Sequence, residues 1–439
     1  MSSARKLLGP WMLTALVAGN MIGSGIFYLP TELASVGSIS LLSWVFTSAG
    51  ALLLALVFAK LSTTMPRIGG PYAYCREGFG EFIGFQMAYN YWIALWVGNA
   101  AITVALVGYL GVFFPALHTN HLLAFFISIG FVWFLTIINV LGVHWAGMMQ
   151  LVTTVLKLVP LLLVGIAGLF FLKPHLLGAF NITGKSDLFA FSSGATLTLW
   201  AFIGLESATV PAESVDNPKR NIPFATIVGT LIAALVYILT TFVMMGLIPM
   251  EQLAHSNAPF AEAADVILGP VGKYIVAIGA VISCFGTLNG WTLLQGQIPL
   301  AAARDNLFPE KFAEMSSFGT PAFGLILTSI LITFLLILTI DKGLIEQFKF
   351  ITLLATLSSL IPYLFTTMAE IMIFKKYPHE FAGKKLTGSI IIAILACVYS
   401  FWAILGSGEE IVFYGSLLFF SSVPVYVMMK RKHELLSHI

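Results

Sequence analysis

Two short stretches place polar and flexible residues inside otherwise apolar sequence. The first is Gly19-Asn20-Met21-Ile22-Gly23-Ser24-Gly25-Ile26-Phe27, within an apolar run from Leu7 to Leu29. About 20 apolar residues cross the ~30 Å hydrocarbon layer as a helix, so Gly23-Ser24-Gly25 falls at a depth where a helix needs unbroken backbone pairing. An interruption there survives only if the freed N–H and C=O groups face protein, water or a ligand. A ligand fits best. Gly23 and Gly25 let a solute approach the backbone, and the half-helix beyond points its positive end at the gap, which suits an α-carboxylate. The second stretch, Trp200-Ala201-Phe202-Ile203-Gly204-Leu205-Glu206-Ser207, puts a glycine, a carboxylate and a serine into another apolar run. Glu206 is the one carboxylate well inside an expected span, and an acid shut away from water can exchange a proton near neutral pH. Its plainer role is a hydrogen bond across the break.

Lys157 lies about ten residues into a span, or ~15 Å at 1.5 Å per residue. Snorkelling covers only part of that depth, so its ammonium needs an internal partner; it is expected to tie the first span to the eighth, as a bound sodium ion could. Tyr91, Leu95 and Asn99 stand at i, i+4 and i+8 and share a helix face, and the Asn99 amide needs partners in a membrane. Trp200 and Trp291 each neighbour a glycine or break, where an indole packs in the core or serves as a movable lid. Thr356, Ser358 and Ser359 either line a pocket or bond back to their own helix. The histidines form no i, i+4 pair, and Cys75, Cys284 and Cys397 have no metal or disulfide spacing, so no metal or cofactor is expected. No phosphate-binding loop, nucleotide fingerprint or nucleophile–His pair is found.

These residues need elements to position them, and composition says which. The chain of 439 residues is 58% hydrophobic and 10% charged, with mean hydropathy +0.94, the profile of an all-α polytopic membrane protein. A net charge of +2 gives no argument for nucleic acid. No soluble domain or cleaved leader is expected. Apolar runs bounded by charge, Gly and Pro suggest twelve transmembrane helices, at 7–33, 40–64, 81–113, 122–142, 147–172, 191–212, 223–249, 268–303, 321–340, 344–374, 386–405 and 410–429. An even number puts both termini on one side. Setting that side in the cytoplasm places Arg5, Lys6, Lys60, Arg67, Arg76, Lys219, Arg220, Arg304, Lys311, the Lys375–Lys385 cluster and Lys430–Lys432 inside. Only Lys173, Lys185, Lys273, Lys342 and Lys349 fall outside.

The broken spans, one and six, are five apart. That is the separation of two inverted five-helix repeats with the site at their interface: residues 1–190 form the first repeat and 191–374 the second, while 375–439 carry spans eleven and twelve and the tail. The loop Thr63–Glu81, with Arg67-Ile68-Gly69-Gly70-Pro71-Tyr72-Ala73-Tyr74, is expected to hold a short interfacial or re-entrant helix.

With both breaks placed, the chain resembles the amino acid–polyamine–organocation superfamily, and within it the bacterial basic amino acid/polyamine antiporters, including arginine/agmatine and putrescine/ornithine exchangers. The likeness covers nearly the whole chain. It rests on the two broken stretches, Gly69-Gly70-Pro71-Tyr72-Ala73-Tyr74, Asn217-Pro218-Lys219-Arg220-Asn221-Ile222-Pro223 and Gly290-Trp291-Thr292-Leu293-Leu294. The resemblance implies a LeuT-like five-plus-five inverted repeat with broken helices 1 and 6, often in a homodimer in the bacterial inner membrane. The Asn20, Gly23, Ser24 and Gly25 backbone would hold a substrate carboxylate, and carbonyls near Met21, Trp200 and Ile203 its α-amino group. Trp200 would close over the side chain, Trp291 line the pocket, and Glu206 act as a proton-linked switch, with Tyr72, Tyr91 and Tyr363 in gating.

Two departures bear on specificity and coupling. Where arginine/agmatine exchangers use a Cys and a Ser to receive the guanidinium, this chain has Leu95 and Ala355, although Asn99 remains. A lysine at the place of Lys157 is found in many sodium-independent relatives, both proton-coupled symporters and exchangers, and is generally missing from the family's antiporters. The expectation is a secondary transporter exchanging amino acids and/or their decarboxylated amines by alternating access, proton-linked through Glu206. The alternative is a sodium-independent, proton-coupled importer of neutral or cationic amino acids. An enzyme would need a nucleophile, metal cluster or general-base pair that the sequence lacks, and a channel a continuous polar stripe.

Overall fold

A computed structural model describes residues 9–65, 69–141, 153, 156–210, 212, 215–378 and 386–437. Arg5, Lys6, Arg67, Lys384, Lys385 and most of the start of the fifth expected span lie outside them. Among the described residues the elements are all helices. Ten are long and apolar enough to cross a membrane, joined by two shorter apolar helices, Leu156–Phe171 and Ala322–Leu338.

The first span is two half-helices, α1 (Pro10–Met21) and α2 (Ser24–Ala34). Then come α3 (Ser40–Thr64), the short α4 (Pro71–Phe79) in the loop after span two, α5 (Glu81–Leu110), α6 (His121–Leu141) and α7 (Leu156–Phe171). The next elements are α8 (Asp187–Leu199), α9 (Pro218–Leu247), α10 (Pro259–Arg304) and α11 (Ala322–Leu338). The chain ends with α12 (Leu344–Lys376), α13 (Thr387–Gly406), α14 (Glu409–Phe420) and α15 (Ser422–Ser437). Proline opens α1, α4, α9 and α10, where its missing N–H has no intrahelical partner to lose.

Boundaries differ from the sequence expectation where local chemistry outweighs hydropathy. The sixth span starts four residues before 191, because Ser186 Oγ accepts from the Phe189 N–H at 3.3 Å and caps α8. It also stops as an α-helix at Leu199, well short of 212. The eighth begins at Pro259 instead of 268, since the chain is helical on both sides of a kink at Gly269, whose φ of 68° precedes Pro270.

At the centre stands α5, packed between α10 and α12 and buried along nearly its whole length. Gly98, Ala100, Ala101, Ala105 and Gly108 let its neighbours approach closely. On the flank, α9 packs on α3 and α1, and α13 lies on α3 and α12. The outer side of α13 exposes Ile391, Leu395, Val398 and Leu405, an apolar surface suited to lipid.

The α3–α13 crossing depends on Gly50, where a Cβ would come within 2.2 Å of the Tyr399 ring. Gly50→Val is expected to cost roughly 1–3 kcal/mol through overpacking, lowering the thermal unfolding midpoint of the purified protein in detergent. Gly130→Ala on α6, with nothing within 4 Å, should hold or raise it. Equal midpoints for the two variants would contradict this packing.

Candidate substrate site

The chain leaves the helix at Ile22 and Gly23 and re-enters it at Ser24. The Ile22 N–H donates to Ala18 O and the Gly23 N–H to Met21 O, each at 2.8 Å. Ser24 and Gly25, expected inside the interruption, thus form the first turn of α2. No side chain caps that turn, so its leading amides have no intrahelical acceptor. Two buried oxygens beside it, Asn20 Oδ1 and Ser24 Oγ, also have no hydrogen-bond partner.

Trp200 covers this turn. A Cβ on Gly25 would lie 2.9 Å from Trp200 Cδ1, and one on Gly98 would lie 2.7 Å from the Trp291 ring and 3.0 Å from the Trp200 ring. The two indoles sit with centroids 5.8 Å apart, and Trp291 Nε1 is buried without an acceptor. Two tryptophans therefore pack into the space that glycines on α2 and α5 leave open.

The second interruption lies alongside. Where α8 ends, Trp200–Phe202 form a single 3₁₀ turn, Ile203 is extended, and Gly204 takes a φ of 107° that favours glycine. Tyr237 donates to the Ala201 carbonyl at 2.8 Å, and Asn20 Nδ2 donates to Ser207 Oγ at 2.9 Å. The latter bond joins the two breaks directly. Glu206 is fully buried. Its Oε1 accepts from Tyr91 at 2.5 Å, and its Oε2 accepts from Tyr363 at 2.5 Å and from the Gly204 N–H at 3.2 Å. With the acid ionised, both phenols are placed to donate to it. A proton on one Glu206 oxygen would compete with the phenol donating to that oxygen, so it would change the contact to α5 or the contact to α12.

Lys157, also fully buried, donates to Gly19 O at 2.5 Å and Thr287 Oγ1 at 3.4 Å. The ammonium thus meets the carbonyl end of α1, the negative end of a helix, and bridges α7, α1 and α10. Asn99 Nδ2 donates to Gln295 Oε1 at 2.6 Å, while Asn99 Oδ1 and Gln295 Nε2 have no partner. Leu95 and Ala355 are buried, Leu95 between Tyr91 and Asn99 on one face of α5, and Ala355 two turns before Tyr363 on α12.

Tyr72 is not brought to Glu206. It donates to Asp305, which also pairs with Arg76 at 2.9 Å. Burial, then the hydrogen bond to Asp305, push the Tyr72 phenol far up, so it stays a donor. The two segments still approach closely: a Cβ on Gly70 would lie 2.9 Å from Thr209 Oγ1, three residues past Glu206. Thr287 and Gln295, which the sequence expectation did not name, contact Lys157 and Asn99 beside the candidate site. A signal was present, because Thr287, Trp291 and Gln295 repeat at i, i+4 and i+8 along α10.

A family model described as amino acid permease matches residues 8–428. The chain is 36% identical over 447 residues to a cadaverine/lysine antiporter of Escherichia coli (strain K12), covering 100% of this chain and 98% of that protein. It is 34% identical over 438 residues to the putrescine transporter PotE of the same strain, covering 99% of each. Matched almost end to end, and built of apolar helices around two broken ones, the chain belongs to the amino acid permease family and is a multi-pass membrane transporter, not an enzyme.

Proposed function

We propose that this transporter exchanges a cationic amino acid for its decarboxylated amine across the bacterial inner membrane, with both termini in the cytoplasm. The architecture proposed for it is twelve spans, the first ten forming two inverted five-helix repeats. One observation carries the reading: the uncapped first turn of α2, with Asn20 Oδ1 and Ser24 Oγ unpartnered, lies under Trp200 and is joined through Asn20–Ser207 to the segment that holds Glu206. A carboxylate placed there would accept from the open amides at the positive end of a helix. Carbonyls of the unwound chain near Met21, Trp200 and Ile203 would receive the α-ammonium.

The side chain would then extend toward Trp291, Asn99, Leu95 and Ala355. A linear alkylammonium suits that environment better than a guanidinium, whose planar fork asks for several acceptors. Transport by the relatives of cadaverine with lysine, and of putrescine, supports this size and charge. Alternating access would rock α1, α2, α3, α8 and α9 against the scaffold, with Trp200 and the aromatic gates Tyr91, Tyr363 and Tyr72 taking turns. Glu206 would couple the step to a proton, since protonating one of its oxygens would displace the phenol that donates to it.

A second reading, sodium-independent proton-coupled import, is favoured by Lys157, whose ammonium on Gly19 O stands where a coupling cation would stabilise the end of α1.

Counterflow in proteoliposomes separates the two. Exchange predicts that external lysine, ornithine, cadaverine or putrescine drives efflux of preloaded labelled substrate with no pH gradient, and that arginine competes at least about tenfold more weakly, the loss of roughly one well-made interaction. Uptake that requires a proton gradient and ignores internal substrate would favour symport, and tight arginine competition would refute the assignment of Leu95 and Ala355. Glu206→Gln keeps the shape and removes the titrating group, so its transport rate should vary little with pH where the wild type varies steeply. An unchanged pH profile in the variant would remove Glu206 from the coupling.

A further inference from the structure

Outside the substrate site, the described residues form an open pocket of about 270 Å³, walled by Leu56, Ala59, Lys60 and Thr63 of α3, Pro223 of α9, Glu370 of α12, and Ser389 and Ile392 of α13. Its depth is fixed by helix ends. Lys60 is four residues from the end of α3, Glu370 six from the end of α12, Pro223 five past the start of α9, and Ser389 two past the start of α13. At 1.5 Å per residue the wall lies within ~10 Å of where four helices leave the bilayer, the level of lipid phosphate and glycerol.

The charged groups are of two kinds. Glu370 is 1% exposed, and its Oε2 has no hydrogen-bond partner. Leaving such an oxygen empty is expensive, and a cationic N–H donor is what would satisfy it. Nearer the helix ends stand cations: Lys60 on the wall, with Lys219, Arg220 and Lys375 exposed beyond it. Thr63 and Ser389 add hydroxyls, the rest of the wall is apolar, and the outer surfaces of α9 and α13 continue it with exposed Phe224, Ile391 and Leu395.

We propose that this pocket binds the headgroup of an aminophospholipid, with the ethanolamine ammonium on Glu370 Oε2, the phosphate at Lys60, and an acyl chain along Leu56 and Ile392. The order of charges matches the lipid. The acid takes the terminal ammonium, the lysine takes the phosphate one step back, and the chain leaves over an apolar rim. A choline headgroup has no N–H to give Glu370. A phosphatidylglycerol headgroup would satisfy Lys60 and leave the carboxylate oxygen unpaired. A diamine would set a second ammonium against Lys60.

Native mass spectrometry of the full-length protein, released from micelles with equimolar ethanolamine, choline and glycerol phospholipids of identical acyl chains, tests this. Wild type should retain one ethanolamine lipid about tenfold over the choline lipid, the worth of one charge-assisted hydrogen bond. Glu370→Gln should erase that preference, Lys60→Ala should weaken all three lipids, and millimolar lysine or cadaverine should displace none. Equal retention of ethanolamine and choline lipids by the wild type would overturn the proposal without any variant. So would an undiminished preference in folded Glu370→Gln, or displacement by the free amine or amino acid.

Discussion

A membrane helix that stops pairing its own backbone in hydrocarbon must find other partners, at roughly 2–7 kcal/mol for each polar group left without one. This chain stops twice, at Ile22–Gly23 and across Trp200–Glu206, and the surroundings of both breaks can be read as the response. Lys157 takes Gly19 O, Tyr237 takes Ala201 O, Asn20 takes Ser207 Oγ, and Gly204 N–H meets Glu206. Two of these donors come from neighbouring helices, Lys157 from α7 and Tyr237 from α9, and two from the broken segments themselves, which is why α7 and α9 must pack where they do. The apolar bundle holds the donors in place, and the donors make the breaks tolerable.

What this network leaves over matters most. Carbonyls at the end of α1 are met by a lysine, and the carboxyl of Glu206 is met by three donors, yet the first turn of α2 and the oxygens of Asn20 and Ser24 are not met at all. On the proposed function the substrate completes the set, its carboxylate meeting open amides. Proton and substrate would then act on one connected structure. Glu206 reaches α5 through Tyr91 and α12 through Tyr363, and its neighbour Ser207 reaches α1 through Asn20, so on that proposal a change at either ligand would reach both breaks.

Much of this was legible in the sequence because glycine, carboxylate and lysine are conspicuous in apolar runs. Gly23, Glu206 and Lys157 announce themselves by depth alone, and the family resemblance supplied the tyrosines. Partner choice was not legible. That Tyr91 and Tyr363 meet on one carboxylate while Tyr72 goes to Asp305 depends on how α4, α5 and α12 pack, which periodicity does not encode. Thr287 and Gln295 were hidden for another reason, since Thr and Gln in a span read as ordinary until their spacing from Trp291 is noticed. Glu370 is the converse case: six residues from the end of α12 and close in sequence to Lys375 and Lys376, it is nonetheless buried.

Direct calorimetry of substrate binding to purified Gly23→Val, compared with wild type, tests whether main-chain groups at the first break hold the ligand. A valine there would drive its Cβ to 2.8 Å from Thr287 Cγ2 and fill the approach to the α2 amides. The account predicts that binding heat disappears while the thermal unfolding midpoint stays close to wild type. Wild-type affinity in a folded Gly23→Val protein would contradict it.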